Sequence, residues 1–190
     1  MAVKNMIRVA IVLLTMFHLH GGVYAQLLIT QNPNKIKAAY LRNFTHYVEW
    51  PRQAFDDSVS PWNICVLGED PFGDVLEKTF GDRVERGRSF AVHRAVALNK
   101  LPNCQIVYVA YSNIKKQRDI LRALETMPVL TVGEGKEFVI EGGMVGFIVG
   151  ERVEFDVNLD RAVGSGLTIQ TKMLEVSHEV LKDGTVRSLR

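Results

Sequence analysis

The chain has 190 residues, 47% of them hydrophobic and 23% charged, with 15 glycines and 6 prolines. Such proportions exclude a disordered, collagenous or low-complexity chain and suit one domain, or at most two small ones. The formal net charge is only +2, and the one short basic run, Lys115-Lys116-Gln117-Arg118, falls on a predicted helix face. The basic stripe that a nucleic-acid binder needs is missing, and no segment pairs a basic face with a strongly apolar one for membrane-surface attachment.

The first 25 residues read as an export signal. Lys4 and Arg8 open the segment without any acid, Val9 to Phe17 form a short apolar core, and Val23-Tyr24-Ala25 end it in small residues. The apolar core is too short for a membrane span, and no later stretch approaches the roughly 20 apolar residues a span needs. Cleavage after Ala25 predicts a mature domain over 26–190. Losing Lys4 and Arg8 leaves its acids and bases balanced.

In chain order, 35–50 is the clearest predicted helix. Ile36, Ala39, Tyr40, Phe44, Tyr47 and Val48 recur at helical spacing, with Asn34 as N-cap and Pro51 as the stop. A polar loop covers 56–61. The apolar run 63–68, ended by Gly68, predicts a strand buried on both faces. A helix follows from Asp70 or Pro71 to Phe80, then strands over 89–93 and 104–110. An amphipathic helix over 115–124 carries Ile120, Leu121 and Leu124, and a strand over 129–133 follows Pro128. Strands over 144–149 and 152–157 read as a hairpin turning at Gly150-Glu151. A short helix over 159–163 ends at Gly164 or Gly166, and a last helix over 171–182 leads to a frayed end with Asp183-Gly184. Helices between buried strands predict a single α/β domain, a three-layer sandwich with a mostly parallel sheet, helices on both faces and an antiparallel hairpin. The alternative is an α+β arrangement with helices on one face.

Chemistry-bearing motifs are sparse. Cys65 and Cys104 fall on strands that a doubly wound sheet can place side by side. In an oxidising compartment they either form a disulfide or serve as small buried residues. No C-x-x-C, H-E-x-x-H or G-x-S-x-G occurs, and His46, His93 and His178 are scattered. Gly68 to Gly73 matches no phosphate-binding fingerprint, and Glu69 and Asp70 there would repel an anion. No catalytic residue, cofactor or metal ligand is assigned.

Taken in order, the motifs carry a resemblance. Lys37-Ala-Ala-Tyr-Leu-Arg-Asn-Phe44 with Tyr47-Val-Glu-Trp-Pro51, Ile64-Cys-Val-Leu-Gly68 with Asp70-Pro-Phe-Gly73, and Cys104-Gln-Ile-Val-Tyr-Val109 come first. Pro128-Val-Leu-Thr-Val132, Gly142-Gly143 and Phe155-Asp-Val-Asn-Leu159 with Ser165-Gly-Leu167 follow. Together they resemble the YfiR-like family of periplasmic proteins over about 35–177. The resemblance implies a periplasmic, non-enzymatic α/β protein that binds the periplasmic sensor region of an inner-membrane diguanylate cyclase. By doing so it represses cyclic-di-GMP synthesis, and an outer-membrane OmpA-like lipoprotein relieves the repression by sequestering it. Cys65 and Cys104 match one of the family's two cysteine pairs; the places of the second pair fall near Val139 and Gly146.

The expected partner surface is Phe155, Asp156, Asn158, Leu159, Arg161, Ala162 and Val163, together with the start of the last helix. Asp156 and Ala162 stand at positions matching the family's contact region, and the segment mixes apolar residues with polar ones as interfaces do. A membrane-anchored sensor is therefore the expected partner, with homodimerisation a further mode and no nucleic acid. The alternative functions are a periplasmic small-molecule-sensing module signalling to a histidine kinase or transporter, and an enzyme whose site assembles only on folding.

Overall fold

The computed structural model describes residues 32–188. They fall within one compact unit. The expected export segment, 1–25, and the start of the expected mature domain lie outside the described residues. No described helix is long and apolar enough to cross a membrane.

Helix α1 (Pro33–Tyr47) begins two residues earlier than expected. Asn32, not Asn34, is the cap: its Oδ1 accepts the Asn34 N–H at 2.9 Å, and Pro33 takes the first helical position, where a missing N–H costs nothing. The helix also stops short of Trp50. Val48 is extended and, with Glu49, forms strand β1 (Val48–Glu49), paired antiparallel with β8 (Thr168–Ile169). Pro51 biases Trp50 to extended backbone, and the indole then donates to the Gln105 carbonyl at 3.1 Å.

The main sheet is built from β2 (Trp62–Gly68), β3 (Phe90–Ala95), β4 (Ile106–Ala110), β5 (Leu130–Glu134), β6 (Val145–Val149), β7 (Val153–Asn158), β9 (Glu179–Lys182) and β10 (Thr185–Ser188). Its order is β10-β9-β7-β6-β5-β4-β2-β3. The pairs from β3 through β6 are parallel, as is β7 with β9; β6–β7 and β9–β10 are antiparallel. The helices are α2 (Val75–Phe80), α3 (Ile114–Ala123), α4 (Lys136–Ile140), α5 (Leu159–Gly164) and α6 (Thr171–Glu175).

Two buried clusters show why the central strands read as unbroken apolar runs. Ile64, Val66, Ile106 and Tyr108 point to one face, where they meet Ala38, Leu41 and Phe44 of α1 and Leu76 and Phe80 of α2. Cys65, Leu67, Val107 and Val109 point to the other, against Leu121 of α3 and Phe138 of α4. Successive side chains alternate faces, so covering both requires helices on both. The three-layer α/β sandwich with a mostly parallel sheet and a hairpin is the observed fold, and the one-faced arrangement is excluded.

The C-terminal part departs most from expectation. Only Thr171–Glu175 is helical; the rest of 171–182 becomes β9, which turns into β10. Met173, Leu174, Val176 and Val180 never formed one helical stripe, which is the physical reason. Asp183 and Gly184, at φ of 53° and 66°, make the two-residue hairpin turn that such a dipeptide favours. Smaller differences follow the same logic. Helix α2 starts only at Val75, after Asp70 Oδ1 has accepted the Phe72 N–H and Gly73 has taken a left-handed conformation. Helix α4, unexpected from the sequence, is five residues long, below the length at which periodicity is legible.

Candidate functional site

The Cys65–Cys104 alternative resolves as a disulfide. Cys65 lies in β2 and Cys104 two residues before β4, on neighbouring parallel strands, with Cα atoms 6.1 Å apart. The bridge sits in the second buried cluster among Leu67, Val107, Leu121 and Val129.

Strand β7 and helix α5 carry the expected partner segment. Phe155 is buried on the α1 face, its ring 5.1 Å from Tyr40 and 5.3 Å from Phe44 in edge-on contacts. Asp156, on the opposite face of the strand, is also buried. Its Oδ1 accepts from His178 Nδ1 at 2.9 Å and from the Glu179 N–H at 3.0 Å, so the carboxylate stands in for a backbone acceptor where β9 begins. Asn158 caps α5 by accepting the Arg161 N–H at 3.0 Å, and its amide donates to the Val139 carbonyl. Ala162 is fully buried in the main core. Leu159 and Arg161 are half-buried, and Val163 is 62% exposed. The structure therefore separates the seven residues. Phe155, Asp156, Asn158 and Ala162 build the segment from within, Leu159 and Arg161 flank it, and Val163 meets solvent. Thr171 and Lys172, at the start of α6, are exposed as well.

Contacts that spacing could not reveal clamp α5. Arg161 Nη1 pairs with Glu125 Oε1 at 2.5 Å, its Nε donates to the Gly142 carbonyl, and the Ser165 hydroxyl donates to the Glu125 carbonyl at 2.8 Å. Asp160 accepts the backbone N–H groups of Asp183 and Gly184, tying α5 to the β9–β10 turn. Those bonds, Gly184's first, hold its carboxyl below the usual aspartate range. Sequence reasoning missed this anchor because it took Asp183-Gly184 for a frayed end.

Below α5, Asp156, His178 and Glu179 bring one ligand atom each within 4.8 Å of the others. Lys136 Nζ lies 2.6 Å from Glu179 Oε2, and that hydrogen bond raises the lysine above its usual range. The chain thus supplies its own cation there, and the group works as an ion network joining α4, β7 and β9. None of the three described histidines hydrogen-bonds a serine, threonine or cysteine side chain; their ring partners are Glu85, Asn63 and Asp156.

A second polar group lies against the central strands β4 and β5, on the side of the sheet that carries α1. Lys37, on α1, is 5% exposed, and its ammonium reaches Glu134 Oε1, at the end of β5, at 2.5 Å. The hydroxyl of Tyr108, on β4, donates to the same oxygen. Burial, reinforced by that carboxylate, pushes the Tyr108 phenol well above the ordinary tyrosine range.

The architecture defines a three-layer α/β domain whose helix α5 is braced at several points and whose core is pinned by a disulfide. A family model described as YfiR/HmsC-like matches residues 34–178, and the chain belongs to the YfiR/HmsC-like family. The match runs from the second residue of α1 to His178, at the entry of β9, so it takes in the disulfide, strands β2 to β7 and α5.

Proposed function

We propose that this protein is a periplasmic, non-enzymatic regulator of cyclic-di-GMP signalling that binds the periplasmic sensor region of an inner-membrane diguanylate cyclase and represses it. The observation that carries the proposal is the family match over nearly all of the described domain. The export-type segment ahead of that domain supports the compartment. Relief of repression by an OmpA-like lipoprotein, and a homodimeric state, belong to the same reading.

The partner surface is the solvent side of α5, centred on Val163 and flanked by Leu159 and Arg161. Phe155, Asp156, Asn158 and Ala162 act from beneath as positioning residues. An isolated exposed valine is ordinary on a protein surface; the mounting of this one supports a role. Helix α5 is capped by Asn158, braced by Arg161 and Ser165 against Glu125, and tied by Asp160 to the β9–β10 turn. A pre-organised apolar anchor loses little freedom on binding, so more of its contact energy appears as affinity.

Val163→Asp tests this directly. The substitution is expected to leave thermal stability within about 0.5 kcal/mol of the parent, as surface changes do. It is expected to weaken binding to the purified sensor region by roughly thirtyfold, about 2 kcal/mol. Unchanged affinity would place the contact elsewhere on the molecule.

A further inference from the structure

The parallel part of the sheet reverses its winding between β2 and β4. From β2 the chain crosses to β3 on one side, and the next strand, β4, returns to the other side of β2. The chain leaves the end of β2 toward α2 on one face and leaves the end of β4 toward α3 on the other. The two exits part and open a crevice at the carboxyl ends of the strands. In open α/β sheets this is where ligands bind.

The crevice holds a cavity of about 350 Å³, within the range of small-molecule sites. Its floor is drawn tight at Gly68. The Glu69 N–H donates to the Ala110 carbonyl at 3.0 Å, and a Cβ on Gly68, whose φ is +113°, would stand 2.4 Å from that oxygen. Any L-residue there would push the strand ends apart.

The chemistry of the lining is one-sided. Its only charged side chains are Glu69 and Glu134. Gln117 donates one amide N–H to the Tyr111 carbonyl, and its side-chain oxygen is an acceptor. Pro71, Val109 and Tyr111 supply apolar surface. Glu134 is fixed from behind, because Lys37 and Tyr108 both converge on Oε1, while Oε2 has no partner among the described residues. The buried Tyr108 hydroxyl positions this carboxylate as an acceptor, while the Lys37 ammonium competes for the same oxygen. The Tyr111 ring already carries a cation on its face, the Lys116 ammonium 3.8 Å from the centroid, as expected where an aromatic wall meets a negative rim.

We infer that this crevice is a binding site for a small organic ammonium compound, a primary amine on a short apolar stem, with Glu134 as its main anchor and Glu69 and Gln117 as further acceptors. The ammonium, with several N–H donors, matches a lining whose two charged side chains are carboxylates and which adds the oxygens of Ser112 and Gln117; the stem lies on Pro71, Val109 and Tyr111. The inference is independent of the cyclase reading and would give the regulator a soluble ligand at a site separate from the solvent side of α5.

Calorimetric titration of the purified chain with n-butylamine tests it, with n-butyrate and magnesium chloride as controls. Saturable binding of the amine alone is expected. Glu134→Gln should weaken it by roughly tenfold or more. Lys37→Met, which keeps the apolar stem but removes the competing ammonium, should tighten it several-fold. A merely structural Lys37–Glu134 pair would not give these opposite signs. Lack of saturable heat at roughly millimolar amine, magnesium binding as tight as the amine's, or weakening by Lys37→Met would overturn the site. Loss of amine binding in the laboratory while the sensor region still binds leaves the proposed function standing.

Discussion

Removing the disulfide through the paired substitutions Cys65→Ala and Cys104→Ala is expected to destabilise the domain by about 4 kcal/mol, on the chain-entropy estimate for a loop of this size. The two residues are 39 apart in sequence, so the bridge restricts a long stretch of the unfolded chain. That stretch includes β2, α2 and β3, which form one edge of the sheet. Alanine is the suitable replacement, because serine would bury a hydroxyl among Leu67, Val107, Leu121 and Val129. For a domain of this length the loss corresponds to a fall of roughly 10 °C in the unfolding midpoint. Differential scanning calorimetry measures it. Dithiothreitol should lower the midpoint of the parent by a similar amount and leave the double variant unmoved. Full thiol labelling of the oxidised, denatured parent would show that the bridge does not form.

Ala162→Asp is expected to be worse still, because it places a carboxylate in a site with no solvent exposure. Ala162 is packed within the main core, and its carbonyl already accepts from the Leu167 N–H at 2.9 Å. An unpaired buried charge costs several kcal/mol, so about 4 kcal/mol or more is expected. Asp156→Arg should also destabilise, since it removes the acceptor that serves His178 and the Glu179 N–H and sets a second cation beside Lys136. Both variants will lose partner binding by losing the fold. Circular dichroism melts will separate this from the Val163→Asp effect, which leaves the melt in place. A stable Ala162→Asp protein with normal cooperativity would contradict the packing described for α5.

These two cases also show what could be read from the chain itself. The central strands were legible because runs such as Ile64-Cys65-Val66-Leu67 are apolar at every position, which only a sheet covered on both faces requires. The disulfide was legible as one of two readings, since two strands in a doubly wound sheet can be neighbours, and only their register decided it. The last helix was misread because β-branched Val176 and Val180 were counted toward a helical surface and Asp183-Gly184 toward a frayed end. Read as a turn, that dipeptide predicts β9 and β10. For the proposed partner segment, composition does not tell which of its residues reach solvent. Strand alternation sends Phe155 and Asp156 to opposite faces, yet both faces are covered, and composition alone could not tell that. The Lys37–Glu134 pair, 97 residues apart, left no trace in local spacing; a lone lysine on an amphipathic helix reads as solvated until the end of a central strand is placed against it.

The central claim is that the protein represses a membrane diguanylate cyclase through its periplasmic side. It is tested most directly by reconstituting an inner-membrane diguanylate cyclase from the same cell in vesicles with the sensor region facing outward. The purified chain is then titrated from outside while cyclic-di-GMP formation is followed. The account predicts a saturable fall in synthesis with the parent protein and little fall, at the same concentrations, with the folded Val163→Asp variant. Synthesis that stays constant at saturating parent protein would contradict it.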